Sequence, residues 1–459
     1  MDWRLGWSYD VSACLEAAQQ AEWSLAYSNS DACELDRKGT GSYYTPTDTA
    51  TYFWNECFSL CGCETHNDCL DVLERYHFVE PAVGAGALVF ALFQKLIALG
   101  STPQEIAQTK LTLIDINAKA LAFVKAEINA LEKSWGVKFD RISYICTDFL
   151  QQSSWLNEQP LFIFGNPPFV ANERGSRWKN QFADFTEIAL NATNDDGIVQ
   201  FIVPVSIAFS RDFSDLRAQM RVSGRSVALS SFDNIPDTLF LSGKPGSRNT
   251  NKANSQRCSI LTVFPDDRPR VLTTKMHRWG KADRQTLLSQ RPLYFDATDY
   301  LFDNQIPRPE NYETFDFINR SGSAKRLRMF WERSGPFQLN IAGVARNFIG
   351  IREDSKSASH KLYFCTEEER ILVLLIVTSD LFFNYWRTIG DGFHLTLSNL
   401  AQFPVPKEVL SEVKNRTALG DRIWANRKQY KKEKAYPNGV TVSYDFSPVA
   451  LSLIDLSRR

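Results

Sequence analysis

Long hydrophobic runs are missing from this 459-residue chain. The best of them, Ile371 to Val377, has seven residues, against the roughly 18 that a membrane-spanning helix needs. The opening Met1-Asp2-Trp3-Arg4 lacks the basic-then-apolar pattern of a secretion signal. No fixed-period repeat and no low-complexity tract occurs, which excludes solenoids and extended linkers. Charged residues make up 23% and hydrophobic residues 44%, so wholesale disorder is excluded too. The expectation is a soluble, unexported, cytoplasmic protein with no membrane partner.

Paired metal-binding spacings are also lacking. The nine cysteines are an odd number without a secretion signal, which fits reduced thiols better than a disulfide framework. Cys57, Cys61, Cys63 and Cys69 cluster, with His66 among them. Structural zinc usually shows two short C-x2-C-type pairs, and this C-x3-C-x-C run does not match. No metal is expected, and zinc at this cluster stays open at this level.

The net charge of −1 conceals an asymmetry. Residues 1–240 carry 18 basic against 30 acidic side chains, and residues 241–459 carry 34 against 23. An acidic front half and a basic back half suggest two tasks, the second suited to a polyanion. A chance unevenness of the surface would give the same count.

Residues 11–27 read as an amphipathic helix, and a second helix is predicted from about Asp48 to Leu60, with Pro46 near its start. Short apolar runs then alternate with helical stretches: His77–Val79, Leu111–Ile114, Ile142–Ile145, Leu161–Phe164 and Ile198–Val203. That rhythm predicts βαβ units and a mostly parallel sheet. It breaks near Ser242, where a polar, basic stretch leads into the apolar run Cys258–Phe264. The predicted organisation is an N-terminal helical segment (1–40), an α/β domain (41–268) and a mixed α+β domain (269–459).

In such sheets ligands sit beyond the carboxyl ends of the strands, so the residues that follow each strand are the informative ones. The first strand runs into Glu80-Pro81-Ala82-Val83-Gly84-Ala85-Gly86. Gly84 and Gly86 allow a tight turn close to a ligand, and Glu80 can hold a ligand amine or backbone amides. The third glycine of a dinucleotide fingerprint is absent, because Val89 takes its place; this argues against pyrophosphate. Asp115 ends the second strand, where a carboxylate can accept both hydrogen bonds of a ribose diol. Asp148-Phe149 follows the third, offering an acceptor for an adenine amino group and a ring to lie against it. Each acid singly is more often a helix cap than a ligand contact; three at successive strand ends, with the glycines, point to an adenosine-bearing cofactor.

The fourth strand ends in Gly165-Asn166-Pro167-Pro168-Phe169. The prolines remove backbone donors and lock carbonyl directions. The Asn166 side-chain oxygen and the Pro167 carbonyl can then accept both hydrogens of one planar amino group. Held that way, the nitrogen pyramidalises and its lone pair can attack an electrophilic methyl. Phe169 offers a face for stacking.

Thr45-Pro46, the VEPAVGAG segment, Asp115, Thr147-Asp148-Phe149 and GNPPF together resemble the motif order of gamma-class N6-adenine DNA methyltransferases, over roughly residues 40–265. The resemblance implies a Rossmann-like S-adenosylmethionine-dependent domain followed by a DNA target-recognition domain. It implies that Thr45, Pro46, Glu80, Gly84, Gly86, Asp115, Asp148 and Phe149 bind S-adenosylmethionine. Asn166, Pro167, Pro168 and Phe169 would hold a flipped adenine, with an aromatic on its other face: Phe240, or alternatively Phe232. The chain departs from the pattern in having Glu80 where Asp is common, Phe169 where Tyr is commoner, and an unfamiliar Cys57–Cys69 stretch. Phe393-His394-Leu395-Thr396-Leu397-Ser398-Asn399 resembles the end of target-recognition regions in restriction–modification enzymes.

The implied partner is double-stranded DNA in a bacterial or phage-encoded, nucleoid-associated enzyme, with a cognate restriction endonuclease or specificity subunit as a further partner. Lys244, Arg248, Lys252 and Arg257 are the expected phosphate contacts. Asn172–Gln181 has the composition of a loop that orders on DNA. A methyltransferase of protein glutamine or of RNA adenine shares the Asn-Pro-Pro chemistry and is the alternative. A non-catalytic binding subunit is the third reading.

Overall fold

The computed structural model describes residues 4–27, 45–151, 160–172, 176–234, 236–240, 256–299, 304–353, 359–436 and 439–453. The chain divides into two compact units, Met1–Thr298 and Asp299–Arg459.

The first unit is built on a nine-stranded sheet of order β3-β2-β1-β4-β5-β7-β6-β8-β9. Its strands are β1 (His77–Glu80), β2 (Leu111–Asp115), β3 (Ile142–Cys146), β4 (Leu161–Gly165), β5 (Ile198–Pro204), β6 (Ser226–Phe232), β7 (Cys258–Phe264), β8 (Val271–His277) and β9 (Phe295–Asp296). The run β3-β2-β1-β4-β5 is wholly parallel. Every residue of β1, β4 and β5 is buried, as expected for strands covered on both faces. β7 runs antiparallel to both β5 and β6, and β8 lies parallel to β6. The five-strand half is therefore the predicted α/β sheet, and the far half is mixed. Strand order reverses at β1, which has β2 on one side and β4 on the other. The carboxyl ends of β1 and β4 thus open into the crevice where doubly wound sheets bind ligands.

Helices cover both faces. They are α1 (Arg4–Tyr27), α2 (Thr47–Leu60), α3 (His66–Arg75), α4 (Ala87–Leu99), α5 (Pro103–Ala107), α6 (Ala118–Trp135), α7 (Gln181–Ala192), α8 (Ser214–Val222) and α9 (Arg284–Ser289). α1 is not a separate segment. It packs on α4 and α6 through buried Val11, Leu15 and Ala18, and Asp10 Oδ2 accepts from Ser134 Oγ (2.7 Å) and Trp135 Nε1 (3.2 Å). α2 lies against the sheet through Trp54, whose ring meets Phe78, Phe162 and Phe164 and whose Nε1 donates to Leu88 O at 2.7 Å. This aromatic cluster fixes the floor beneath the β1/β4 crevice.

The first unit continues past the expected boundary at 268. Residues 269–298, assigned by sequence to the back domain, contribute β8, α9 and β9. The ladder explains it: β8 pairs along β6 from Val227–Val271 to Phe232–His277, burying Val271, Leu272 and Met276.

The second unit is α+β. Its five-stranded antiparallel sheet has the order β13-β11-β12-β16-β15, formed by β11 (Phe337–Ala342), β12 (Ile351–Arg352), β13 (Ser359–Phe364), β15 (Lys431–Tyr436) and β16 (Gly439–Tyr444). A separate pair joins β10 (Lys325–Arg326) to β14 (Pro404–Val405). The apolar run Ile371–Val377 lies inside the helix Glu367–Val377 and is buried throughout, so it serves as a core helix. Among the described residues no single helix is long and apolar enough to cross a membrane.

Candidate active site

The first βα turn is shaped by its glycines. Gly84 and Gly86 have φ of 54° and 81°, left-handed values that side-chain-bearing residues rarely adopt. A Cβ on Gly84 would point into open space, which leaves backbone accessible to a ligand. A Cβ on Gly86 would press on Val124 Cγ2 at 3.0 Å, so this glycine also sets the approach of α4 to α6.

Glu80 and Asp115 stand at this turn, and Asp148 follows β3. Glu80, the last residue of β1, is buried, and its Oε2 meets no hydrogen-bond partner among the described residues. Burial, then the nearby Asp115 carboxylate, pushes its carboxyl well above the usual range. Asp115 ends β2 and accepts from Gly84 N (Oδ2, 2.8 Å) and Asn117 N (Oδ1, 2.8 Å). Burial raises its pKa, and those amide bonds oppose the rise. Asp148 accepts from Leu150 N (3.0 Å) and Gln151 Nε2 (3.3 Å), capping the short turn after β3. The Phe149 ring stacks on Phe185 of α7 at 5.1 Å between centroids. The donor set suits an adenosine ligand with a cationic end: an orphaned buried acid, a glycine turn and a strand-end carboxylate.

Asn166-Pro167-Pro168-Phe169 leaves β4 directly beside this turn. Asn166 Nδ2 donates to Thr45 Oγ1 at 3.2 Å, which turns Oδ1 to the other side of the amide; that oxygen is buried. Thr45 is itself buried, and Pro46 is the N-cap of α2, its carbonyl accepting from Ala50 N at 2.9 Å. The front motif and the β4 motif therefore meet. The Phe169 and Phe240 rings stand edge to face, 6.1 Å between centroids and 69° between planes. Phe232 lies elsewhere, in the core, against Tyr52 and Trp279.

Two residues that sequence reading passed over complete the surround. Arg284 of α9 donates to Asp48 through Nε (Oδ2, 2.5 Å) and Nη2 (Oδ1, 2.9 Å). It also donates to Thr238 O (2.5 Å) and Leu239 O (2.8 Å), the residues just before Phe240. Asp48 had a local signal, standing in the first turn of a helix after Thr-Pro-Thr. Arg284 had none, since its partner is 236 residues away.

The expected phosphate contacts divide. Lys244, Arg248 and Lys252 lie outside the described residues. Arg257 Nε donates to Asp233 Oδ1 at 2.9 Å, and Arg278 binds the other oxygen of the same buried carboxylate. In the stretch after the β4 motif, residues 173–175 lie outside the described residues, and those on either side meet. Ala171 bridges Asn180, Asn172 Nδ2 donates to Trp178 O at 2.9 Å, and Trp178 is buried.

The thiols do not converge on a metal. The Cys63 and Cys69 sulfurs are 3.7 Å apart, a thiol–thiol hydrogen bond in which either can donate. His66 Nε2 pairs instead with Glu105 at 3.0 Å. Among the described residues no group of three or more ligating side chains is arranged to hold a metal ion. A surface cleft lined by Leu73, His77, Lys110 and Arg141 lies at the amino ends of β1 to β3, the end away from the residues above.

No protein-family profile matches the chain, and no curated protein does. Solved structures do. The Type IIL restriction–modification enzyme MmeI, solved in complex with DNA, aligns with a TM-score of 0.50 at 15% identity, over 88% of this chain and 72% of that one. The chain shares the MmeI fold. DrdV, also solved with DNA, aligns with a TM-score of 0.47 at 14% identity, over 83% of this chain and 41% of that one. The methyltransferase subunit of a type I restriction–modification system from Streptococcus thermophilus gives 0.39 at 13% identity, over 54% and 52%. This chain spans about two fifths of the length of DrdV. At 15% identity the likeness to MmeI is one of fold alone, a Rossmann-like sheet with a further α+β unit.

Proposed function

We propose that the protein is a site-specific DNA adenine-N6 methyltransferase, using S-adenosylmethionine, that belongs to a restriction–modification or related defence system. The carrying observation is the meeting of Asn166 with Thr45, and of Phe169 with Phe240, at the carboxyl end of β4. MmeI, whose fold the chain shares, was solved in complex with DNA.

S-adenosylmethionine, when bound, supplies an electrophilic methyl group. Glu80 would hold its cationic end, Asp115 its ribose hydroxyls, and Asp148 with Phe149 its adenine, while the Gly84 turn lets the backbone come close. Thr45 orients the Asn166 amide so that Oδ1, together with the Pro167 carbonyl, accepts the two hydrogens of the target amino group. The nitrogen lone pair would thereby face the methyl carbon, whose bond to sulfur would break as the N–C bond forms and leave the neutral thioether, while the amine proton would pass by these acceptors to solvent. Extruding the adenine costs a few kcal/mol, offset by stacking and hydrogen bonds in the pocket. A base stacked between Phe169 and Phe240 needs two layers of about 3.5 Å each, so the rings must turn from their 69° edge-to-face arrangement towards parallel and part from 6.1 Å. Asp299–Arg459 would read the target sequence, with a restriction endonuclease or specificity subunit as a further partner.

Methylation-sensitive long-read sequencing of DNA from cells expressing the wild-type chain and Asn166→Ala tests the reading. N6-methyladenine at one sequence context, absent with the variant, is the expected result. No modified adenine in either culture, with methyl incorporation into protein glutamine or RNA instead, would overturn it.

A further inference from the structure

The pocket aromatic Phe240 sits at the end of a segment with no regular structure, Asp237 to Phe240. Such a segment cannot by itself hold a ring at a fixed height. Yet its carbonyls are occupied from one side by a single buried guanidinium. Arg284 donates to Thr238 O and Leu239 O while forking onto both oxygens of Asp48. Thr49 Oγ1 adds a bond to Leu239 O at 3.0 Å, and Asp237 accepts from Trp279 Nε1 at 3.1 Å. Asp48 and Thr49 lie in the first turn of α2, three and four residues after Thr45, the acceptor of Asn166. The contacts form a closed circuit: Asn166 to Thr45, along the chain to Asp48, across Arg284 to Leu239, on to Phe240, and from its ring to Phe169.

We infer that Arg284 is a positioning residue that sets Phe240 opposite Phe169 and ties this aromatic to the Thr45–Asn166 hydrogen bond. The inference rests on the reading of Phe169 and Phe240 as the two sides of a base pocket. A guanidinium suits the task because its planar fork engages a carboxylate and two carbonyls at once, where an ammonium acts as a point donor. Its role concerns the extruded base and not the cofactor, since none of its partners belongs to the Glu80, Gly84 and Asp115 group.

The test uses the full-length chain with Arg284→Met, Arg284→Lys, Asp48→Asn and Phe240→Ala. Single-turnover methylation is measured on a paired duplex, and on the same duplex with the target adenine mismatched, where extrusion costs less. Losing hydrogen bonds to a charged group should lower the paired-duplex rate of Arg284→Met roughly tenfold to a hundredfold. The mismatch should restore most of that loss, Arg284→Lys should fall between, and S-adenosylmethionine affinity should stay within about twofold. Asp48 is partly exposed, so Asp48→Asn keeps the test open if Arg284→Met does not fold; it should show the same selective loss on paired duplex.

Equal loss on both duplexes, accompanied by a lower melting temperature, would make Arg284 a structural residue only and overturn the inference. An unchanged rate for Arg284→Met and Asp48→Asn with a reduced rate for Phe240→Ala would overturn it as well, while leaving the pocket reading intact. An unchanged rate for both Phe240→Ala and Asn166→Ala would instead remove the pocket reading itself.

Discussion

Asn166 Nδ2 donates to Thr45 Oγ1 at 3.2 Å across 121 residues of chain. The bond joins a threonine just ahead of the first turn of α2 to the turn that leaves β4, and it selects one of the two orientations of the asparagine amide. An acceptor oxygen and a donor nitrogen are nearly the same size, so only such a partner distinguishes them. Replacing Thr45 by Val keeps the shape and removes the acceptor. A net neutral hydrogen bond is worth about 0.5–1.5 kcal/mol, so kcat should fall about twofold to tenfold. Asn166→Ala should reduce single-turnover rates by orders of magnitude while calorimetric S-adenosylmethionine binding stays nearly intact. An Asn166→Ala rate above about a tenth of wild type would take the residue out of the mechanism.

The cofactor end should show the opposite pattern. Asp115→Ala removes charged acceptors worth roughly 1.5–3 kcal/mol, so S-adenosylmethionine affinity should drop about tenfold to a hundredfold. Unchanged affinity would leave Asp115 as the anchor of Gly84 and Asn117 alone.

Glu80 adds a pH dependence whose sign follows from its burial. Its carboxyl is pushed well above the usual range, so it holds a proton in the ligand-free site where an ordinary glutamate would not. A cationic ligand favours the carboxylate, so binding releases a proton and affinity strengthens as pH rises towards the raised pKa. Calorimetry in buffers of different ionisation heat should detect that release, and Glu80→Gln should abolish it. Proton uptake on binding would contradict the assignment.

Glu56 of α2 carries a second buried acid, away from the pocket. Burial raises it from 4.5 to about 7 even though Ser230 Oγ and Tyr294 OH both donate to its Oε1. A raised folded-state pKa means stability that is full below the unfolded value and lost as pH climbs through the folded one. Between pH 4.5 and 7 the protein should lose on the order of 3 kcal/mol from this group. Chemical denaturation of Glu56→Gln across that window should show a flatter profile than wild type, and an identical slope would refute the argument.

Salt dependence separates a nucleic-acid enzyme from one acting on protein. Each phosphate contact contributes about 0.9 to the slope of log affinity against log salt. Duplex binding should weaken steeply with salt, and replacing Lys244, Arg248 and Lys252 by Ser should flatten the slope by about two to three units. Arg257 should behave differently. It pairs with Asp233, a carboxylate with 1% exposed side chain, so Arg257→Ser should lower the melting temperature more than it alters the slope. Duplex affinity indifferent to salt would favour the glutamine substrate.

Much of this protein was open to reading from residues in order. The runs that became β1, β4 and β5 are buried along their whole length, and a strand with no polar side to offer solvent can only be covered by helices. Glu80 and Asp115 end β1 and β2, and Asn166 follows β4 directly, so strand ends alone locate them in the fold. The left-handed turns at Gly84 and Gly86 are equally local, because backbone freedom belongs to the residue itself. What the chain order could not show is decided between distant segments. β6 reads Ser-Val-Ala-Leu-Ser-Ser-Phe, too polar for a core strand until Ser231 meets Ser259 at 3.0 Å and Ser230 reaches Glu56. β8 joins the sheet beside it and carries the first unit to Thr298, beyond the boundary that composition suggested. Phe232 and Phe240 are eight residues apart and alike in chemistry; strand pairing buries one, and Arg284 sets the carbonyls ahead of the other. Local pattern specifies which surface a segment must hide, whereas the partner that hides it is chosen only when the whole sheet closes.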